Sequence, residues 1–295
     1  MLDHIPVFFR DELNARSRFF APGTFKPAAC VDDWIAHGLP IKLHDFKPAS
    51  RDDLCLAHDA EYVDGVLACE IPNGFHGTEP DVAETLPYTS GAMLAAGREA
   101  LRNGFVACAP VSGFHHAQWD SAAGYCTFNG LIVTARRMQA DRLVRRVGIL
   151  DLDQHYGDGT DGIIAELELT SIRHETPGKR HQRRADAEPF LAKLPSLVRS
   201  FGDCDLLLYQ AGADPHVDDP LGGWMTTEQL ARRDRIVFAT AKALGLPVAW
   251  NLAGGYQRDA AGCIGPVLEI HANTMRACCT NYGLQPKPPA TTKDG

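Results

Sequence analysis

Five short stretches of the chain are apolar almost throughout: Ile5–Phe9, Phe105–Ala109, Val147–Leu152, Leu206–Ala211 and Val248–Leu252. Runs of this length predict strands covered on both faces. Between them lie Asp59–Cys69, Ser90–Arg102, Phe128–Asp141, Ala187–Ser200, Thr227–Leu244 and Ala260–Asn281, long enough and amphipathic enough for helices. Strand and helix alternate along the chain. That order predicts one α/β domain, a mainly parallel sheet with helices on both faces. Gln285 to Gly295 is Pro-rich and poor in apolar residues, which predicts an unstructured tail after a folded domain over residues 1–284.

The polar motifs fall where these strands end. Phe105–Ala109 runs into Ser112-Gly-Phe-His-His-Ala117, and Val147–Leu152 into Asp151-Leu-Asp-Gln-His-Tyr-Gly-Asp-Gly-Thr160. Leu206–Ala211 runs into Gly212-Ala-Asp214, and Val248–Leu252 into Gly254-Gly-Tyr256. Ligands of open parallel sheets bind beyond the carboxyl ends of the strands, so these four loops are expected to meet.

Composition narrows the field. With 295 residues, 45% of them hydrophobic, the chain can bury a large core. The net charge of −8, with basic residues spread along the chain in no run longer than a pair, as at Lys179-Arg180 and Arg183-Arg184, argues against nucleic acid as a partner. Nine cysteines without a CxxC pair suit a reducing compartment. No apolar run reaches eighteen residues, and Met1-Leu-Asp-His does not open a signal peptide. A cytoplasmic protein without a membrane partner is expected.

Asp151, Asp153 and His155 alternate, so on an extended strand end they would line one side. Two carboxylates that close cost desolvation and repel unless a cation sits among them, and oxygen with imidazole suits a divalent metal. Asp214, which alone would read as a turn cap, supplies a third ligand and leaves a position open for water; His216 is a weaker candidate. His115-His116 is a tandem pair that needs partners to fix its tautomers, and Asp151 and Asp158 are available for it. Tyr256, after two glycines, suits a phenol donor to an oxyanion. Gly124-Tyr125-Cys126 suits the wall of a narrow slot, with Cys126 read as a small buried residue. His58-Asp-Ala-Glu-Tyr-Val63 reads as a helix start, and the remaining histidines receive no role.

Together, and in this order, these motifs resemble the zinc-dependent histone deacetylase and acetylpolyamine amidohydrolase family over roughly residues 58–258. The resemblance implies an arginase/deacetylase-like fold with an eight-stranded parallel sheet and hydrolysis of an acetylated amine to acetate and free amine. It implies Zn2+ on Asp153, His155 and Asp214, though Fe2+ or Co2+ also suit such a donor set. His116 with Asp158 would handle the water and amine protons, His115 would pair with Asp151, and Tyr256 would polarise the carbonyl. Tyr125, with Gly124, Gly254 and Gly255, would line the substrate slot. A structural K+ is implied near Asp151, Asp153, His155 and Ser171.

Two departures from the family pattern stand out, of which only the second, the short interval, bears on substrate, Tyr156 being outside the matched catalytic positions. Tyr156 replaces a second histidine, and the interval from His155 to Asp214 is short, with only Glu175-Thr-Pro-Gly178 to form the second channel wall. The expected substrate is an acetyl-lysine peptide or a small acetylated amine. Glu79, Asp81 and Asp120 are the candidate carboxylates for a polyamine. Two other readings compete: a phosphatase built on Asp151-Leu-Asp153, in which His155 is misplaced, and an inactive acyl-lysine binder, which would not need both His116 and Tyr256.

Overall fold

The computed structural model describes residues 2–14, 24–181 and 183–285. Its strands are β1 (Ile5–Phe8), β2 (Ile41–His44), β3 (Val106–Ala109), β4 (Val147–Asp151), β5 (Ile172–Glu175), β6 (Leu206–Gln210) and β7 (Val248–Asn251). They form one all-parallel sheet in the order β2-β1-β3-β7-β6-β4-β5. That is seven strands among the described residues, one fewer than the resemblance implies. The helices are α1 (Lys26–Ala36), α2 (Arg51–Leu54), α3 (Ala60–Leu67), α4 (Pro80–Ala83), α5 (Leu86–Asn103), α6 (Gly130–Ala140), α7 (Asp158–Glu166), α8 (Ala187–Arg199), α9 (Thr227–Leu244) and α10 (Gly265–Asn281).

Successive strand side chains point to opposite faces, and each face has its own core. Val106, Cys108, Leu150, Leu207, Tyr209, Val248 and Trp250 pack with α1, α8, α9 and α10. Ala107, Ala109, Val147, Ile149, Leu206, Leu208 and Ala249 pack with α3, α5 and α6. The central strands β3, β7, β6 and β4 are buried at every position, which is why they read as continuous apolar runs. These adjacent strands are also the four that end in polar motifs. The tail predicted from Gln285 falls outside the described residues except for Gln285 itself. No described helix is long and apolar enough to cross a membrane.

Candidate metal and catalytic site

Strand β4 ends at Asp151, and the chain then folds back over its own carboxylates. The Asp153 N–H donates to Asp151 Oδ1 at 3.2 Å, and the His155 N–H to Asp153 Oδ1 at 3.0 Å. Asp151, Asp153 and His155 are therefore gathered by a turn rather than by strand alternation. Asp214, from the loop after β6, completes the group. One donor atom each from Asp153, His155 and Asp214 lies within 4.8 Å of the others. His155 Nδ1 stands 3.2 Å from Asp153 Oδ1 and 3.0 Å from Asp214 Oδ2.

The other oxygens of the two ligand carboxylates are held by main chain. Gly254 N donates to Asp153 Oδ2 at 2.8 Å and Gln154 N to Asp214 Oδ1 at 3.2 Å. A Cβ on Gly254 would stand 2.4 Å from Asp214 Oδ2, so a larger residue would displace the ligands. Gly254 thus orients carboxylates as well as lining the slot.

Two His–Asp pairs flank this group. His115 Nδ1 is 2.7 Å from Asp151 Oδ2, and His116 Nδ1 is 2.5 Å from Asp158 Oδ1, while Asp158 Oδ2 accepts from Gln118 Nε2 at 3.1 Å. Burial works against a charged His115, but the carboxylates of Asp151 and Asp153 outweigh it and raise its pKa to about 9. His116 moves the other way, since burial and the neighbouring His115 outweigh Asp158. His116 is then the neutral member of the tandem at pH 7, with Nε2 left as the acceptor.

The electrostatics of the ligand group suit a cation. Hydrogen bonds to Asp153 and Asp214 raise His155 to about 10. Burial and the charge of Asp153 raise Asp214 to about 8. Two carboxylates and an imidazole with an open fourth side fit a catalytic divalent ion.

A narrow pocket of about 50 Å3 opens onto this centre, lined among others by His115, Gly124, Tyr125, Asp153, Gly254, Gly255 and Tyr256. The rings of Tyr125 and Tyr256 lie 5.9 Å apart, and Tyr125 packs on Phe75 at 5.7 Å. Gly124 is required where it is, because a Cβ there would lie 2.4 Å from the His116 ring. Cys126 is buried, and burial raises its thiol to about 12, which excludes a thiolate nucleophile. On the His155 side a wider groove is bounded by Gln154, Tyr156, Gly178 and Leu221 to Gly223. The Glu175–Gly178 loop does reach the site, with Gly178 pressed on the main chain of Gln154 and His155, but this wall carries no aromatic from that loop.

Two candidate positions lie elsewhere. His216 bonds Thr227 Oγ1 and the Asp218 N–H at 3.0 and 3.1 Å and takes no part in the ligand group. Ser171 accepts a bond from Val147 N at the start of β4, the opposite end of the strand from Asp151, so it cannot join a potassium site there. The side of Asp151 toward β5 is taken instead by His174, whose Nδ1 is 2.8 Å from Asp161 Oδ1 and Nε2 3.8 Å from Asp151 Oδ2.

Four further residues at the site are His174, Lys26, Gln210 and Asp219, none of them singled out by a motif. Lys26 is buried at the pocket and donates to Ala253 O; Gln210 donates to Asp151 Oδ1 at 3.1 Å; Asp219 Oδ2 accepts the Tyr256 N–H at 2.8 Å. The polar residue closing the apolar run of β6 was the available signal for Gln210. For Asp219, one acid in an Asp-Asp-Pro loop, there was none.

The parallel sheet thus carries at its carboxyl edge a group of two carboxylates and one imidazole, flanked by two His–Asp pairs. The family model of the histone deacetylase domain matches residues 28–179 and 170–267. The chain belongs to that family, whose members are metal-dependent deacetylases. It is 33% identical over 256 residues to an uncharacterised Picosynechococcus protein, covering 76% of this chain and 85% of that one. It is 35% identical to acetylpolyamine amidohydrolase 2 of Pseudomonas aeruginosa over 150 residues, 48% of this chain and 41% of that one. The crystal structure of the HDA15 HD domain superposes with a TM-score of 0.76 at 17% identity, covering 98% of this chain and 91% of that one.

Proposed function

We propose that this protein hydrolyses the amide of an acetylated amine, an acetyl-lysine side chain or a small acetylated amine, at a divalent metal held by Asp153, His155 and Asp214, with zinc the ion expected. The observation that supports the reading is that the ligand group and the His116–Asp158 pair stand together, the His116 and His155 rings 6.0 Å apart, beside a narrow pocket lined by Asp153, His115 and Tyr256.

A divalent ion bound there supplies Lewis acidity to the carbonyl and lowers the pKa of water from 15.7 toward ~7. His116, neutral and oriented through Nδ1 by Asp158, accepts the proton of the attacking water on Nε2. The same proton is then delivered to the amine nitrogen as the C–N bond breaks, leaving acetate and free amine. The Tyr256 phenol donates to the carbonyl oxygen as negative charge develops on it. The paired tyrosines and the glycines of the slot suit a slender acyl-amine chain.

Asp151 is fully buried under His115, Gln210 and the Asp153 N–H, which leaves it no access to a phosphate ester. Acetate release from an acetyl-lysine peptide, N-acetylputrescine and N-acetylspermidine, with a phosphate ester alongside, tests the reading. Turnover of at least one amide and none of the ester is expected. Turnover of the ester alone would replace the deacetylase with a phosphatase, and metal-loaded protein inert toward all four would leave a binding module.

A further inference from the structure

Helix α9 buries an ion pair that the chemistry above leaves unused. Arg233 and its neighbour Asp234 are both fully enclosed, with Arg233 Nε 2.8 Å from Asp234 Oδ1. The carboxylate also accepts the Tyr209 hydroxyl and, at 2.6 Å, the Thr274 hydroxyl. Arg233 Nη1 then donates to two main-chain carbonyls, Leu152 O at 3.0 Å and Gly212 O at 2.8 Å. Leu152 immediately precedes Asp153, and Gly212 stands two residues before Asp214.

The ladder between β4 and β6 reaches as far as Leu152 N on Gln210 O at 3.0 Å. Just past it the guanidinium joins the two chains. Its N–H groups are fixed in a plane, so bonding two carbonyls from one nitrogen fixes the distance between them. A buried ion pair contributes little net stability beside well-packed apolar residues, so the fold alone does not account for this one.

We propose that Arg233 is a positioning residue for the metal centre: held by Asp234, it sets the separation of the main chains that present Asp153 and Asp214. The inference rests on the ligand group named above, and it is tested without substrate. Co2+ affinity is measured by chelator competition, and the visible absorption of the Co2+ protein reports ligand geometry. Arg233→Lys keeps a charge beside Asp234 but loses the planar fork. It is expected to weaken Co2+ binding about tenfold and to change the spectrum. Val198→Ala, a truncation in the core under α8, is expected to lower Tm while leaving both unchanged.

If Arg233→Lys folds and keeps wild-type affinity and spectrum, the inference is wrong. If it does not fold, Tyr209→Phe decides, since it removes only a hydroxyl from Asp234. A severalfold loss of Co2+ affinity supports the brace, and no change overturns it. Wild-type protein that takes up no Co2+ would overturn the ligand group and the brace together, whereas Co2+ uptake without acetate release would fault the proposed activity alone.

Discussion

Burial, reinforced by the carboxylates of Asp153 and Asp214, holds the phenol of Tyr256 well above its ordinary pKa of 10. It stays protonated throughout any working range and is always able to donate. Replacing Tyr256 with Phe removes that donor and little else, because the backbone bond to Asp219 and the ring contact with Tyr125 remain available. The expected result is unchanged metal content, a similar KM and a kcat lower by ~10²–10³. A raised KM with kcat intact would make Tyr256 a binding residue. At this scale the sequence was informative wherever a reactive side chain stood beside strand-end glycines, as Asp214 and Tyr256 do. It was silent on Asp219, Lys26 and His174, whose partners come from distant segments that only folding brings near.

His58 couples whole elements. Standing just before α3, it donates from Nδ1 to Gln118 O at 2.9 Å and accepts the Asn129 N–H, at the cap of α6, on Nε2 at 2.8 Å. Both bonds need the neutral ring, and burial lowers its pKa to about 4. The unfolded chain takes up this proton near pH 6.5 and the folded one only near 4, so folding is favoured fully above 6.5 and loses stability as pH falls between those values. The loss attributable to His58 is on the order of 3 kcal/mol over the window, at 1.36 kcal/mol per unit. In denaturant titrations from pH 7 to 4.5, wild type should lose stability relative to His58→Gln, so that the gap between them changes by that amount; parallel curves would mean that His58 does not titrate as its burial requires. The segment His58–Val63 does open a helix, α3 with Asp59 at its cap, but the bonds of His58 have no signature in the sequence. The central strands were legible because both faces are buried. The edge strands were not: β2, Ile-Lys-Leu-His, has no fully buried position, and β5 has only Ile172. Helix α7 was hidden inside the motif Gly157-Asp-Gly-Thr-Asp-Gly162, whose glycines signal a turn.

Across the whole molecule, two apolar layers close the sheet without help from the ligand group, which lies beyond the strand ends. The metal-free centre also has its own means of lowering repulsion. His155, raised to about 10, carries a proton between the carboxylates, and Asp214, raised to about 8, retains one of its own. Chelation is therefore expected to lower Tm without unfolding the protein, as a catalytic site differs from a structural one. At free metal a hundredfold above Kd, binding adds about 2.7 kcal/mol to the folded state. At roughly 2 °C per kcal/mol for a chain of this size, EDTA should lower Tm by about 5 °C at pH 7. Because the metal displaces the protons on His155 and Asp214, the difference should shrink as pH falls toward 6, where those protons are held most firmly. Scanning calorimetry with and without EDTA at both pH values measures it. Collapse of the fold on chelation would show that the ion holds the strand ends together, and a Tm difference that grew on acidification would contradict proton displacement at His155.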